Sequence, residues 1–202
     1  MTFGASQSHM HNIILFGAPG SGKGTQAQKL KDHFHLLHVS TGDIFRSEIK
    51  NETAVGVEAK KYLDHGQLVP DELTIRILGG FVESNSTAET KGIIFDGFPR
   101  TVPQAIALDE FLSKKNSPIN SVLALEVNDE ELVKRLINRG LTSGRSDDAN
   151  ESVVRSRLQV YYNQTAPLAD YYRKQNKFIS LAGEGTIDEI FAHLCAEMKK
   201  LS

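Results

Sequence analysis

The stretch that decides the fold reads Gly17-Ala18-Pro19-Gly20-Ser21-Gly22-Lys23-Gly24-Thr25. It follows the apolar run at residues 13–16 and precedes a segment with the apolar spacing of a helix. Glycines let the backbone turn tightly, so that successive amide N–H groups point at one anion in front of the positive helix end. The stretch is therefore predicted to be a phosphate-binding loop between a strand and a helix, with Lys23 as the cation for the outer phosphates.

One position departs from the usual form of such a loop. Gly24 stands where a serine or threonine is common, and Thr25 follows one residue later. That hydroxyl is a direct ligand of Mg²⁺ in the usual motif, so we expect the ion to be held here mainly by phosphates and water. Asp96 ends the apolar run at residues 92–95 and is the carboxylate predicted to lie near the ion and its waters. The alternative is that Asp96 only caps the next turn.

Length and composition limit the class of protein. With 202 residues, 40% hydrophobic and 24% charged, the chain is predicted to form one domain with insertions. A net charge of −2 argues against a general nucleic-acid binder. The single cysteine, Cys195, excludes an intramolecular disulfide and suits a reducing cytoplasm. We find no apolar run long enough for a membrane span or signal peptide, and interpret polar residues 1–9 as a tag or N-terminal extension.

Short apolar runs alternate with helical patterns along the chain. The runs are residues 12–16, 37–39, 92–95, 121–127 and 178–181. This alternation predicts an α/β fold, with a parallel sheet covered by helices on both faces. Pro167 is expected to kink or split a long helical pattern near Ala166. Thr186 and Glu189 have the spacing of a capping box at the start of the last helix.

Two segments fit this sheet poorly. About thirty residues between the second strand and Leu68 form helical patterns with few strongly apolar positions. Residues 139–148 are rich in Gly, Ser, Arg and Asp and have almost nothing to bury. Both are predicted to be mobile flaps that close over a substrate and exclude water from a phosphoryl group in transfer.

The arginines indicate the chemistry. Those at the edge of a flap or just beyond a strand end are Arg46, Arg100, Arg135, Arg139, Arg145 and Arg157. Open α/β sheets bind ligands at such strand ends, and phosphoryl transfer needs fixed cations around the equatorial oxygens. Arg155 and Arg173 are instead interpreted as surface ion-pair partners.

Two further patterns allow more than one interpretation. Thr101 and Gln104 have the spacing of a capping box, but the Gln104 amide also has the donor and acceptor needed to read an adenine edge. Spacing alone does not decide between these roles. His33, His35 and His38 alternate near a helix-to-strand junction, and we interpret them as packing residues because apolar neighbours explain the pattern.

Together these motifs resemble the nucleoside monophosphate kinases, and most closely the adenylate kinases with a short lid. The resemblance covers residues 10–202 and rests on five motifs at residues 17–25, 41–46, 66–70, 96–104 and 144–148. It implies Mg²⁺-dependent, reversible transfer of a phosphoryl group from ATP to AMP, giving two ADP. It also implies a P-loop kinase fold with a five-stranded parallel sheet of order 2-3-1-4-5, in a monomer without nucleic-acid or membrane partners. Residues 40–69 would be an AMP-binding insertion and residues 139–148 a short lid.

The resemblance also assigns roles to individual residues. The implied ATP site comprises Gly20, Ser21, Gly22, Lys23, Gly24, Thr25, Arg135 and Arg139, with backbone near Thr186 beside the base. The implied AMP site comprises Thr41, Arg46, Leu68, Val69, Gly97, Arg100 and Gln104. The residues implied to act on the transferred group are Lys23, Arg100, Arg139, Arg145 and Arg157.

Two rival functions are less consistent with the residues. Pyrimidine monophosphate kinases resemble this chain but typically have Ala at the position of Thr41 and Asn at that of Thr101. Guanine-binding switches share a phosphate loop, but their Asn-Lys-x-Asp motif is absent: Asn176-Lys177 is followed by Phe178 and Ile179. Thr41, Thr101 and Gln104 therefore favour AMP as the acceptor.

Overall fold

A computed structural model of the chain describes residues 11–143, 145–148 and 150–201. The predicted tag or extension at residues 1–9 lies outside these ranges. No helix in the described ranges combines the length and apolar character needed to span a bilayer.

A parallel sheet forms the centre of the molecule. Its strands are β1 (Ile13–Phe16), β2 (Leu37–Ser40), β3 (Ile93–Asp96), β4 (Ser121–Glu126) and β5 (Phe178–Ala182). They pair in the order β2-β3-β1-β4-β5, and every pairing is parallel. Both the strand order and the fold class predicted from the sequence are confirmed. Each strand boundary lies within one residue of the predicted apolar run.

Helices cover both faces of the sheet. They are α1 (Lys23–Phe34), α2 (Thr41–Lys50), α3 (Ala54–Leu63), α4 (Asp71–Asn85), α5 (Val102–Ser113), α6 (Asp129–Ser143), α7 (Glu151–Val160), α8 (Leu168–Arg173) and α9 (Ile187–Lys199). Side chains of β1 alternate between two buried clusters, because successive residues of a strand point to opposite faces. Ile14 packs with Leu108 of α5 on one face, whereas Ile13 packs with Leu30 of α1 and Leu194 of α9 on the other.

The predicted insertion has a small core of its own. Phe45 of α2, Ala59 of α3, and Val69 and Leu73 near α4 form a cluster separate from the two large ones. At Gly56 a methyl group would overlap the backbone of α2, so glycine allows the two helices to cross closely. α2, α3 and the start of α4 thus share a small core beside the end of β2.

Local signals near the C-terminus are confirmed. The helical pattern breaks where Pro167 predicts: α7 is followed by a π-helical turn at Tyr161–Thr165, and α8 begins after the proline. The Thr186 side chain accepts from the Glu189 N–H, and the Glu189 side chain accepts from the Thr186 N–H. This reciprocal pair is the capping box expected at the start of α9.

Candidate active site

A cavity of about 800 Å³ lies at the carboxyl ends of the central strands. The cations in its wall are Lys23, Arg46, Arg100, Arg135, Arg139, Arg145 and Arg157. All six arginines singled out from the sequence are therefore brought to one place. Arg155 and Arg173 lie elsewhere, paired with Glu151 and Asp170 on their own helices, as expected for surface residues.

The phosphate loop forms one wall of this cavity, with residues 19–25 all lining it. Gly20 and Gly22 have φ of +86° and +94°, which L side chains rarely adopt. Lys23 then begins α1, and the helix has no side-chain cap among the described residues. The first N–H groups of any helix lack an intrahelical acceptor, and no side chain of the described residues caps them here, so this end is suited to an anion.

Lys23 lies folded over the loop. Its Nζ donates to the Gly17 and Ala18 carbonyls at 2.7 and 2.8 Å. Burial, together with the nearby Arg100, lowers the pKa of Lys23 to about 8, although Asp96 opposes the shift. The ammonium is therefore charged at neutral pH, but less firmly than an exposed lysine.

Arg100 is fixed through its main chain as well as its side chain. Its Nε donates to the Gly97 carbonyl at 2.7 Å, and its N–H donates to Gln104 Oε1 at 2.8 Å. Thr165, in the π-helical turn, donates to the Arg100 carbonyl at 2.9 Å. Burial lowers the pKa of Arg100 to about 10, with repulsion from Arg157 as the next cause. The guanidinium thus remains charged at neutral pH.

Two aspartates of the predicted lid hold Arg139 and Arg157. Asp148 is buried and accepts from Arg139 Nε at 2.6 Å and Nη2 at 3.1 Å, and from Arg157 Nη1. Asp147 pairs with Arg157 at 3.0 Å. Arg145, on the same turn, lies 3.9 Å from Asp43 of α2.

The expectation that residues 139–148 have almost nothing to bury is therefore wrong for Asp148, which is 2% exposed. The reason is its pairing with two guanidinium groups, which allows a carboxylate to be buried. Residues 139–143 also continue α6. The sequence alone assigns no role to Asp147 and Asp148, because nothing local shows which arginines they contact.

Some residues predicted for the AMP site lie behind the cavity wall. Arg46, Leu68 and Gly97 line the cavity, whereas Thr41, Val69 and Gln104 are not among the lining residues that the structure describes. Thr41 Oγ1 donates to the Gly97 carbonyl at 2.8 Å, behind the wall. Val69 is buried in the core of the insertion.

The side chain of Gln104 does not complete the capping box that its spacing allowed. Its N–H donates to Thr101 Oγ1 at 3.3 Å, so Thr101 does cap α5. Its side chain does not return to Thr101, as a capping box requires. Instead, Oε1 accepts from the Arg100 N–H and Nε2 donates to Asp71.

Asp96 lies at the end of β3 in the cavity wall, beside the phosphate loop. A methyl group on Gly24 would lie 3.6 Å from its Oδ2, so little separates the carboxylate from the loop. His38 Nε2 is 3.5 Å from the same oxygen, and His38 also lines the cavity. The sequence pattern assigned His38 to packing and missed this contact, which joins β2 to β3.

The site suits a Mg²⁺ ion that is bound mainly by the phosphates of a substrate. The ion is commonly held by one or two carboxylates together with phosphate oxygens and water. Asp96 supplies one carboxylate, while the described residues contain no cluster of three or more His, Cys, Asp or Glu that could hold a metal alone. The donor set matches an ion shared with phosphates.

Comparison with known proteins agrees with this geometry. A family model described as adenylate kinase matches residues 15–177. An adenylate kinase of Bacteroides thetaiotaomicron is 50% identical over 192 residues, covering 95% of this chain and all of that protein. Adenylate kinases of Parabacteroides distasonis and Flavobacterium psychrophilum are 51% and 52% identical, over 92% and 95% of this chain and 96% and 100% of their own lengths. With the fold, the phosphate loop and the gathered arginines, these matches show that the chain is an enzyme of the adenylate kinase family.

Proposed function

We propose that the cavity is where ATP and AMP exchange a phosphoryl group, reversibly giving two ADP. The observation that carries this is the convergence of Lys23 and six arginines on one cavity in a chain whose net charge is −2. Such local positive charge suits two phosphate-bearing ligands bound side by side, because each brings negative charge. Adenylate kinases perform this reaction, and the chain belongs to that family.

ATP is assigned to the phosphate-loop side. The loop N–H groups and the uncapped start of α1 receive its phosphates, and Lys23 leaves the Gly17 and Ala18 carbonyls to meet them. Arg135 supports the base: it is held by Glu131 at 2.8 Å and the Gly183 carbonyl at 3.2 Å. A guanidinium plane held in this way can stack on an adenine.

AMP is assigned to the opposite side, against the insertion at residues 40–69. Arg46 and Arg100 receive its phosphate, and the backbone at Leu68 and Val69 lies beside its base. Gly97 also lines the cavity, and a side chain at this position would contact the Arg100 guanidinium. Thr41 supports this wall through its hydrogen bond to Gly97.

The transfer itself requires charge neutralisation rather than proton transfer. The attacking group is a phosphate oxygen of AMP that is already anionic, so the reaction needs no general base. Charge spreads over the equatorial oxygens of the transferred group. Arg100, Arg139, Arg145 and Arg157 line the cavity, and hydrogen bonds hold the first, second and fourth of them. Donors held in place need little reorganisation as the charge develops.

Mg²⁺ is proposed as the cofactor, held by phosphates and through water by Asp96. When bound, it neutralises phosphate charge and orients the transferred group. The chain's own contribution there is the Asp96 carboxylate, held close to the loop beside His38. We further propose a cytoplasmic monomer without nucleic-acid or membrane partners, and the short-lid form of the family.

Coupled assays with AMP, CMP, UMP and GMP as acceptors test the proposal, and AMP should be strongly preferred. Lys23→Ala and Arg100→Ala should each lower kcat by about 10²–10³-fold, the usual cost of removing one preorganised transition-state charge. Arg155→Ala is the matched control, since it removes an exposed cation outside the cavity. A variant at Lys23 or Arg100 that keeps more than half of the activity would refute the role of that residue.

A further inference from the structure

Asp71 is not among the residues assigned to ATP or AMP, yet its side chain joins the starts of two helices beside the site. It is the first residue of α4 and follows closely on Leu68 and Val69, whose backbone is assigned to the AMP base. Its Oδ1 accepts from Gln104 Nε2 at 2.7 Å, and its Oδ2 accepts from Thr101 Oγ1 at 2.8 Å. The carboxylate thus ties the start of α4 to the start of α5.

The Gln104 amide is consequently held at both ends. A carboxylate can only accept, so the group facing Asp71 must be the NH₂ of Gln104. A backbone N–H can only donate, so the group facing Arg100 must be the amide oxygen. Gln104 is 2% exposed, which leaves water little opportunity to replace either partner. The amide therefore cannot exchange its oxygen and nitrogen without losing two hydrogen bonds.

This constraint matters because an amide can otherwise suit two kinds of purine. The N6/N1 edge of adenine offers a donor and an acceptor, and a glutamine amide can pair with it through both of its polar atoms. A 6-oxo purine offers the reverse at that edge, an acceptor at O6 and a donor at N1. A freely turning amide adapts to either base, whereas a fixed one favours the 6-amino base. One N–H and one oxygen lone pair of the Gln104 amide remain to form hydrogen bonds with the base.

We propose that Asp71 is a positioning residue that sets the choice of acceptor base by fixing the orientation of the Gln104 amide. AMP is then accepted in preference to nucleoside monophosphates that carry a 6-oxo purine. The inference rests on the proposed reading of adenine by Gln104. A purely structural role, in which Asp71 only joins two helix starts, predicts no change in base preference.

The test compares AMP with IMP as acceptors, since IMP carries a 6-oxo purine without the 2-amino group of GMP. Asp71→Asn keeps the size of the side chain but lets it donate as well as accept, so the Gln104 amide loses one of its two constraints. We expect the AMP-to-IMP ratio of kcat/KM to fall at least about 5-fold, the lower end of what one base-edge pair contributes. The KM for ATP should not change.

Glu72→Gln is the matched control. Glu72 lies in the same first turn of α4 and is exposed, so this variant removes the same charge from the same helix end. It should leave the AMP-to-IMP ratio as it is. Asp71→Ser, which also suits a helix start, should lower the ratio like Asp71→Asn.

Four outcomes would overturn the inference. Equal losses of activity with AMP and IMP would show that Asp71 acts on structure alone. Unfolding of both Asp71 variants would show the same, since base choice would then be inseparable from folding. An unchanged ratio in Asp71→Asn, with a lowered ratio in Gln104→Ala, would leave adenine reading intact and refute only the role of Asp71. An unchanged ratio in Gln104→Ala would instead refute the proposed adenine contact itself.

Discussion

Asp148→Asn tests whether one buried carboxylate holds two of the arginines around the transferred group. The Asp148 side chain is 0% exposed, whereas those of Arg139 and Arg157 are 35% and 16% exposed. Breaking a buried pair costs about 3–5 kcal/mol. We expect about 3 kcal/mol here, because the asparagine oxygen still accepts and water reaches Arg139. For a chain of this length that lowers Tm by about 6–12 °C.

Activity should fall together with stability. Without the shared anion, Arg139 and Arg157 repel each other, and misplacement of about 1 Å is enough to cost up to 10²-fold in rate. Urea unfolding gives the stability change, and steady-state kinetics at 25 °C, well below Tm, give kcat. Glu151→Gln removes the same charge from an exposed pair nearby and should cost at most about 0.5 kcal/mol. A loss below about 1 kcal/mol for Asp148→Asn, or an undiminished kcat, would refute the reasoning.

Two further predictions concern charge in the cavity. Arg145→Lys keeps the cation but loses the planar fork, so kcat should fall more than KM for ATP rises; an unchanged kcat would show that Arg145 only binds. Because the Lys23 ammonium has a pKa of about 8 in the free protein, kcat/KM for ATP should decline by about tenfold per pH unit above that pH. Lys23→Arg should lack this decline, and a wild-type profile that stays flat to pH 10 would contradict the assignment.

Most of the fold could be predicted because its signals are local. Each strand is a short apolar run, and the phosphate loop marks where the first one ends and α1 begins. Pro167 and the Thr186 capping box act within a few residues of themselves, so their effects appear where the sequence places them. Parallel strands then gather their carboxyl ends at one edge, which explains why arginines far apart in sequence reach one cavity.

The rest depends on contacts between distant residues. Gln104 meets Asp71 across 33 positions, and nothing near either residue indicates the other. The same holds for His38 beside Asp96, where two strands that are neighbours in space are separated by several helices in sequence. The local pattern therefore shows that the Gln104 amide can form hydrogen bonds, but not which residues are its partners. Such pairings become predictable only once the strand order is known.

The gathered cations also explain why the site needs its aspartates. Burial lowers the pKa of Lys23, Arg100, Arg145 and Arg157, and for each of them neighbouring arginines add to the shift. Carboxylates offset this repulsion: chiefly Asp96 for Lys23 and Arg100, and chiefly Asp147 for Arg145 and Arg157. Substrate phosphates bring further negative charge, so their binding relieves repulsion that these carboxylates leave in place. The same arrangement therefore favours the binding of phosphate-bearing substrates in this cavity.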